Sequence, residues 1–362
     1  MPELDLLAIP FCFFLFGACV GSFLNVVIYR MPRGMSVNTP RRSFCPHCGA
    51  PIAWYRNIPL LSWLLLRGKG ACCGKPIAVR YWLVELVCAL LFTAIAWCFP
   101  GEELPTLALL CLWAAVMLAC FCIDWETMAV LPSLTLIATA CGLAAAGLSP
   151  WLLEPMAEPT ESLTMAAAGA AGGFLLFKLV GLLGKLLFGR RQKTWETEQP
   201  WTLRQEGEDL RLTIGNDSFL WTELFLEEHD RLLLTDATAA GQAETADTLA
   251  FTLDKLHLPD GTELPLESVE SLHGTCCGMQ QQRAAMGSGD AWLAMAIGAL
   301  CGWQGVVFAL VAGSFIGLAQ AMIARIGRGQ PMPFGPALIA AAFIWLFFSE
   351  EISAALAAWL DC

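Results

Sequence analysis

Long apolar runs broken by short polar stretches organise most of the chain. A membrane-spanning helix takes about 20 mostly apolar residues, and such runs occur at 6–27, 81–99, 104–123, 130–148 and 165–188. A polar stretch follows, and then three more runs at 291–301, 306–326 and 337–360. The first of these three is short and reaches full length only with 287–290 or 302–307. The pattern predicts about eight transmembrane helices. The first run opens with Glu3 and Asp5 and lacks the basic start of a cleavable signal, so it reads as a retained span.

Composition sharpens this picture. The chain is 57% apolar and 15% charged with mean hydropathy +0.60, against about 45–50% apolar and about 25% charged for a soluble domain. A water-soluble single domain and a disordered chain are both excluded. The net charge of -11 is local: between Trp195 and Glu270 lie 18 of the 32 acids and four basic residues (Arg204, Arg211, Arg231, Lys255), a local -14 that leaves +3 for the rest.

Basic residues mark the cytoplasmic side. Residues 30–80 hold Arg30, Arg33, Arg41, Arg42, Arg56, Arg67, Lys69, Lys75 and Arg80 and no acid; later basic clusters are Arg190, Arg191 and Lys193, then Arg325 and Arg328. The intervening loops hold Glu102 and Glu103, then Glu154, Glu158 and Glu161. Alternation over eight spans puts both termini outside and every basic loop inside. Two soluble pieces are then cytoplasmic, a basic cysteine-containing loop domain and an acidic insert. Within the insert, 210–214 and 232–234 read as strands, Pro259-Asp260-Gly261 as a turn and 235–248 as an Ala/Thr-rich linker. The expected class is an all-α polytopic membrane protein with a small cytoplasmic cysteine-containing loop domain and an inserted acidic, β-rich cytoplasmic domain. Its segments are 1–29, 30–80, 81–188 (spans two to five), 189–283 (the insert) and 284–362 (spans six to eight).

An ionisable side chain at a membrane span is costly and points to function. Asp124 falls at the inner end of the third span, in Cys122-Ile-Asp124; Asp290 opens the sixth, in Gly287-Ser-Gly-Asp290. Two carboxylates at one depth can share a proton, so that one activates water and the other protonates a carbonyl oxygen. Glu85, about one turn into the second span, either supports such a site or pairs with a loop arginine such as Arg80. Cys45-Pro-His-Cys48 followed by Cys72-Cys73 has the donors of a structural zinc site, although a vicinal pair is not a normal knuckle. Two arrangements stay open, zinc with Cys72, Cys73 or His47 completing the set, and unliganded thiols. Gly313-x3-Gly317 fits close helix packing, and Cys276-Cys277 is read as inert.

Taken in order, these motifs resemble the prepilin peptidase family, bifunctional leader peptidases and N-methyltransferases of type IV pilus and type II secretion systems. The resemblance is carried by Gly21-Ser-Phe-Leu-Asn25 through Arg30, Cys45-Pro-His-Cys48 with Trp54 to Trp63, and Arg80-Tyr81 with Glu85. It continues through Cys122-Ile-Asp124 with Leu131-Pro132, Gly287-Ser-Gly-Asp290 and Pro333-Phe-Gly-Pro336. It implies a bacterial inner-membrane aspartic endopeptidase with Asp124 and Asp290 as catalytic pair. The implied substrate is a prepilin or pseudopilin with a basic leader, cut at the cytoplasmic face. The implied cofactors are S-adenosylmethionine, for methylating the new N-terminus, and zinc on Cys45, Cys48, Cys72 and Cys73. The implied partners are these substrates and the lipid bilayer, with no nucleic acid and no defined oligomeric state.

Three features depart from the family pattern: Gly70 stands at the third cysteine position, Trp292 stands where a lysine is usual, and the acidic insert replaces a short loop. The insert's charge leaves two readings, a solvated family-specific decoration and a surface that attracts the basic leader. The altered cysteine set leaves a second reading, a peptidase without methyl transfer. A polytopic transporter using interfacial carboxylates is the rival from another class.

Overall fold

The computed structural model describes residues 3–40, 43–45, 47–153, 158–206, 209–225, 230–238, 246–258, 262–266, 271–282, 287–325 and 332–360. In chain order its elements begin with helices α1 (Glu3–Arg30), α2 (Leu61–Leu65), α3 (Val79–Cys98), α4 (Leu104–Thr127), α5 (Pro132–Leu148) and α6 (Pro159–Phe188). Strands β1 (Arg190–Glu206), β2 (Asp209–Ile214) and β3 (Asp217–Leu220), a short helix α7 (Trp221–Leu224), and strands β4 (Arg231–Ala237) and β5 (Ala246–Phe251) follow. Then come β6 (Lys255–His257), β7 (Glu263–Pro265), β8 (Ser271–Gln282), α8 (Gly289–Ala324) and α9 (Gly335–Leu360). The chain divides into two compact units: Met1–Leu175 with Gly289–Arg325 and Met332–Cys362, and Leu176–Ser288 with Ile326–Pro331.

Among the described residues, six helices (α1, α3, α4, α6, α8 and α9) are long and apolar enough to cross a bilayer, and α5 is apolar but shorter at 17 residues. With them the chain is a multi-pass membrane protein. Helix α4 is the centre of the helical unit, with 72% of its apolar window buried against 22–39% for the others. Its Trp113 is fully buried and donates from Nε1 to the Ala296 carbonyl at 3.1 Å. Helices α1 and α3 cross closely because Gly17 and Gly21 leave room for the α3 backbone: a Cβ there would lie 2.8 Å from Ala89 Cα and 2.7 Å from Glu85 Cα.

The apolar runs at 291–301 and 306–326 fall within one helix, α8, interrupted at Gly302 (φ 65°, ψ -174°). That conformation is open essentially to glycine alone. A Cβ on Gly173 of α6 would meet both Ala294 O, at 2.6 Å, and Val306 Cγ2, at 3.1 Å. Twelve residues of straight helix span about 18 Å, so the chain doubles back at Gly302. The returning half packs along α9 in the antiparallel sense, with Gly305 against Trp345, Gly313 against Leu338 and Gly317 against Phe334. This is the close packing that the Gly313-x3-Gly317 spacing predicts.

The second unit holds one antiparallel eight-stranded sheet, ordered β3-β2-β1-β8-β4-β5-β6-β7. The first and last strands pair along their length, from Arg190↔Gln282 to Arg204↔Ser271, with a register shift between Thr194 and Gln199. Trp201, Leu212, Leu232, Leu234 and Phe251 are fully buried in its core, and the Trp201 and Phe251 rings meet edge-on at 5.8 Å. The expected linker at 235–248 is corrected here. Its two ends are strand, with Thr235 paired to Thr248 and Ala237 to Ala246, because β4 and β5 supply each other's backbone partners whatever the Ala/Thr composition between them. The Pro259-Asp260-Gly261 turn, the middle of that linker, and Arg41, Arg42, Glu154 and Arg328 lie outside the described residues.

Candidate active site and cysteine cluster

Asp124 sits in the last turn of α4. The helix is closed by Met128 in the left-handed region (φ 52°), whose N–H donates to the Asp124 carbonyl at 2.9 Å. The side chain is only 4% exposed. The Gly335 N–H donates to its carboxylate, while Oδ2 has no protein partner. Asp290 is 8% exposed and lies in the first turn of α8, where free backbone N–H groups and the helix dipole support negative charge.

Glycines hold the two helix ends together. A Cβ at Gly335, the first residue of α9, would press on Asp124 Oδ2 and lie 2.8 Å from Cδ1 of Leu293, one turn beyond Asp290. A Cβ at Gly289 would meet Val130 Cβ at 2.6 Å, in the link between α4 and α5. The two aspartates that sequence spacing singled out therefore stand at one end of one bundle. Gly335 was legible only as part of the opening of the last span; nothing in the sequence tied it to Asp124. Trp292 packs edge-on against Phe174 at 5.2 Å.

Glu85 does not pair with Arg80, and that expectation is corrected. Glu85 Oε2 accepts from the Leu60 N–H at 2.7 Å, and Leu60 is a non-glycine residue at φ 62°. The carboxylate thus pins a strained corner of the loop domain onto α3. Arg80 pairs with Glu126 instead.

The structure brings all four predicted cysteines together. The Sγ atoms of Cys45, Cys48, Cys72 and Cys73 lie within 4.8 Å of one another, with Cys45 to Cys73 at 3.8 Å and Cys48 to Cys72 at 3.4 Å. A zinc–sulfur tetrahedron with bonds of about 2.3 Å has edges of about 3.8 Å, so the donor set and spacing fit a structural metal.

The backbone explains how a vicinal pair achieves this. Cys45 N–H donates to Ala50 O at 2.9 Å and Gly49 N–H to Cys45 O at 2.8 Å; Gly70 N–H donates to Lys75 O at 2.8 Å and Gly74 N–H to Gly70 O at 2.7 Å. The two turns are equivalent, with Gly70 matching Cys45, Cys73 matching Cys48, and Cys72 matching His47. Cys72 supplies the sulfur that Gly70 cannot. The backbone N–H of His47, ahead of that of Cys48, draws the Cys45 thiol down to about 6, and sharing with Cys48 and then Cys45 holds the Cys72 thiol up at about 12.

Fold and site define a multi-pass membrane protein with a buried aspartate at each of two adjoining helix ends and a four-cysteine loop domain. Residues 15–99 match the bacterial Peptidase A24 N-terminal domain, and residues 265–322 the type IV leader peptidase family. Relatives named prepilin leader peptidase/N-methyltransferase include one from Klebsiella pneumoniae, 38% identical over 184 residues (49% of this chain, 75% of the relative). Another, from Myxococcus xanthus, is 44% identical over 183 residues (49% of each chain), and one from Aeromonas hydrophila is 37% identical over 200 residues (49% and 65%). The chain belongs to the prepilin leader peptidase/N-methyltransferase family. It spans about half (49%) of the Myxococcus relative's length. No solved structure matches it.

Proposed function

We propose that this protein is a membrane aspartic endopeptidase that removes the basic leader of type IV prepilins or type II secretion pseudopilins and then N-methylates the new N-terminus. The observation that supports the reading is that two buried carboxylates, Asp124 and Asp290, lie at helix ends linked through Gly335 and Leu293. In this mechanism Asp290, supported by the α8 N-terminus, takes a proton from the attacking water. Asp124 delivers a proton to the scissile carbonyl oxygen, and the tetrahedral intermediate collapses with protonation of the departing amine. The unpartnered Oδ2 of Asp124 is free for that exchange.

S-adenosylmethionine supplies the methyl group when bound. Cys45, Cys48, Cys72 and Cys73 would hold zinc as a structural ion, which would staple the two turns of the loop domain. With α5 counted as a span and α8 as two, the chain crosses the bacterial inner membrane eight times. Both termini then face outward, and the loop domain and insert, 30–80 and 189–283, face the cytoplasm. A transporter is disfavoured because both aspartates sit at helix ends, whereas transport sites cluster near the midplane.

Purified membranes, a synthetic prepilin and labelled S-adenosylmethionine test the reading. Asp124→Asn and Asp290→Asn should each reduce leader removal on the order of 10³-fold or more, and the double variant should lose little beyond either single one. Cleavage surviving in both single variants would overturn the assignment.

A further inference from the structure

A cavity of about 830 Å³ lies in the helical unit between α1, α3, the end of α4 and the cysteine loop domain. Among the described residues, four buried side-chain polar atoms lack a hydrogen-bond partner: Asn25 Oδ1, Arg80 Nε, Trp82 Nε1 and Asp124 Oδ2. The last belongs to the aspartate pair. The other three all belong to residues lining this one cavity. Buried polar groups in native proteins are nearly always satisfied, so three orphans among the residues lining one cavity mark a place where a polar ligand completes the set.

The Asn25 orientation is not arbitrary. Asn25 is 5% exposed, and its Nδ2 donates to the Tyr81 carbonyl at 3.0 Å and to Gly21 O at 3.3 Å. The amide nitrogen must face those carbonyls, so Oδ1 is left as a fixed acceptor. Arg80 and Trp82 contribute donors, Glu85 and Glu126 contribute carboxylates, and the Trp63 and Trp82 rings lie 6.0 Å apart at 35°.

We infer that this cavity is the methyl-donor site and takes S-adenosylmethionine, an inference that rests on the methyl-transfer half of the proposed function. The ligand's chemistry matches these groups, in a lining that also carries Arg30, Arg33, Arg56 and Lys75. A flat adenine suits the tryptophan pair. The α-carboxylate calls for donors such as Arg80 Nε and Trp82 Nε1, and an amino group calls for an acceptor such as Asn25 Oδ1. The sulfonium cation would find two carboxylates in the lining, Glu85, which also accepts from the Leu60 N–H, and Glu126, which also pairs with Arg80. Glu126 follows Asp124 by two residues in the last turn of α4, about 200° around the helix, so the cavity and the aspartate site flank opposite sides of one helix end. A substrate freed at Asp124 presents its new amine at that same helix end, and methyl transfer to that amine releases one proton and neutral S-adenosylhomocysteine.

The test measures binding, separately from turnover. Titration calorimetry of the full chain in detergent, with S-adenosylmethionine and S-adenosylhomocysteine as probes, compares the parent with Trp82→Phe and Asn25→Leu, and thermal unfolding checks that each variant is folded. Trp82→Phe removes the indole donor with part of the ring, and Asn25→Leu removes the Oδ1 acceptor together with the two bonds made by Nδ2; each should weaken binding roughly tenfold. Ultraviolet cross-linking of labelled S-adenosylmethionine to the parent, read by peptide mapping, needs no variant; label should fall in peptides containing Asn25 or Trp82. Parent-like affinity in folded variants, or label confined to other segments, overturns the cavity assignment and leaves methyl transfer standing. A parent that neither binds the donor nor transfers methyl overturns the methyl-transfer reading and this inference with it.

Discussion

At the scale of single residues, the site depends on what is missing from a side chain as much as on what is present. Gly335 donates its N–H to Asp124 and leaves no room for a Cβ beside Oδ2. Gly335→Ala should therefore shift the carboxylate and lower kcat for leader removal by about 10- to 100-fold with little change in KM, since small misplacements of a reacting group are costly; equal kcat in the two proteins would refute this role. The cysteine cluster makes the complementary case. Gly70 occupies the ligand position of the second turn, and a Cβ there would lie 3.6 Å from Cys73 Sγ and 3.9 Å from Cys72 Sγ. Cys72→Ala should weaken zinc binding by roughly 100-fold or more, and adding Gly70→Cys should restore it; competition against a chromophoric chelator reads both. That the four cysteines form a cluster was legible from spacing and residue type. Their geometry was not, because the matching of Cys72 with His47 exists only in the backbone hydrogen bonds of two turns far apart in sequence. Asn25 was legible only as one letter of a family motif, since its unpartnered acceptor appears once α1 and α3 are side by side.

At the scale of elements, hydropathy reports where apolar residues lie but not where the backbone reverses. The runs at 291–301 and 306–326 were readable as separate, and the residues between them contain the glycine that lets α8 double back. What could not be read is that Gly302 takes φ 65°, or that both halves close on α6 around Gly173. Gly302→Val should destabilise the helical unit by about 1–3 kcal/mol, seen as a lowered thermal midpoint in detergent, with Gly302→Ala intermediate. An unchanged midpoint for both would mean that no reversal is built there. In the insert the failure ran the other way. Residues 235–248 are rich in Ala and Thr and read as a linker, yet Thr235 and Thr248 are cross-strand partners. Composition describes a segment in isolation, whereas a strand is defined by the strand beside it.

At the scale of the whole molecule, charge is partitioned by segment: residues 195–270 hold a net -14 and the remainder +3. The strands that open and close the insert are neighbours, with Arg190 opposite Gln282, so the chain enters and leaves the sheet at one point. The sheet also has its own buried core around Trp201 and Phe251. Such a module can be excised and its ends rejoined by a short Gly/Ser link without asking the helices to move. If the acidic sheet concentrates basic leaders near the peptidase, the benefit is long-range and must fade as the Debye length falls from about 30 Å at 0.01 M salt to about 3 Å at 1 M. The parent's KM for a basic-leader prepilin should then rise several-fold with salt over that range. The excised chain should start at the higher KM and stay there within about twofold. Leader removal at saturating substrate should be equal in the two proteins, because Asp124 and Asp290 both lie outside the removed segment. A parent KM that is flat with salt, or an excised chain with the parent's low-salt KM, would reduce the insert to a solvated decoration and leave leader recognition to the helical unit alone.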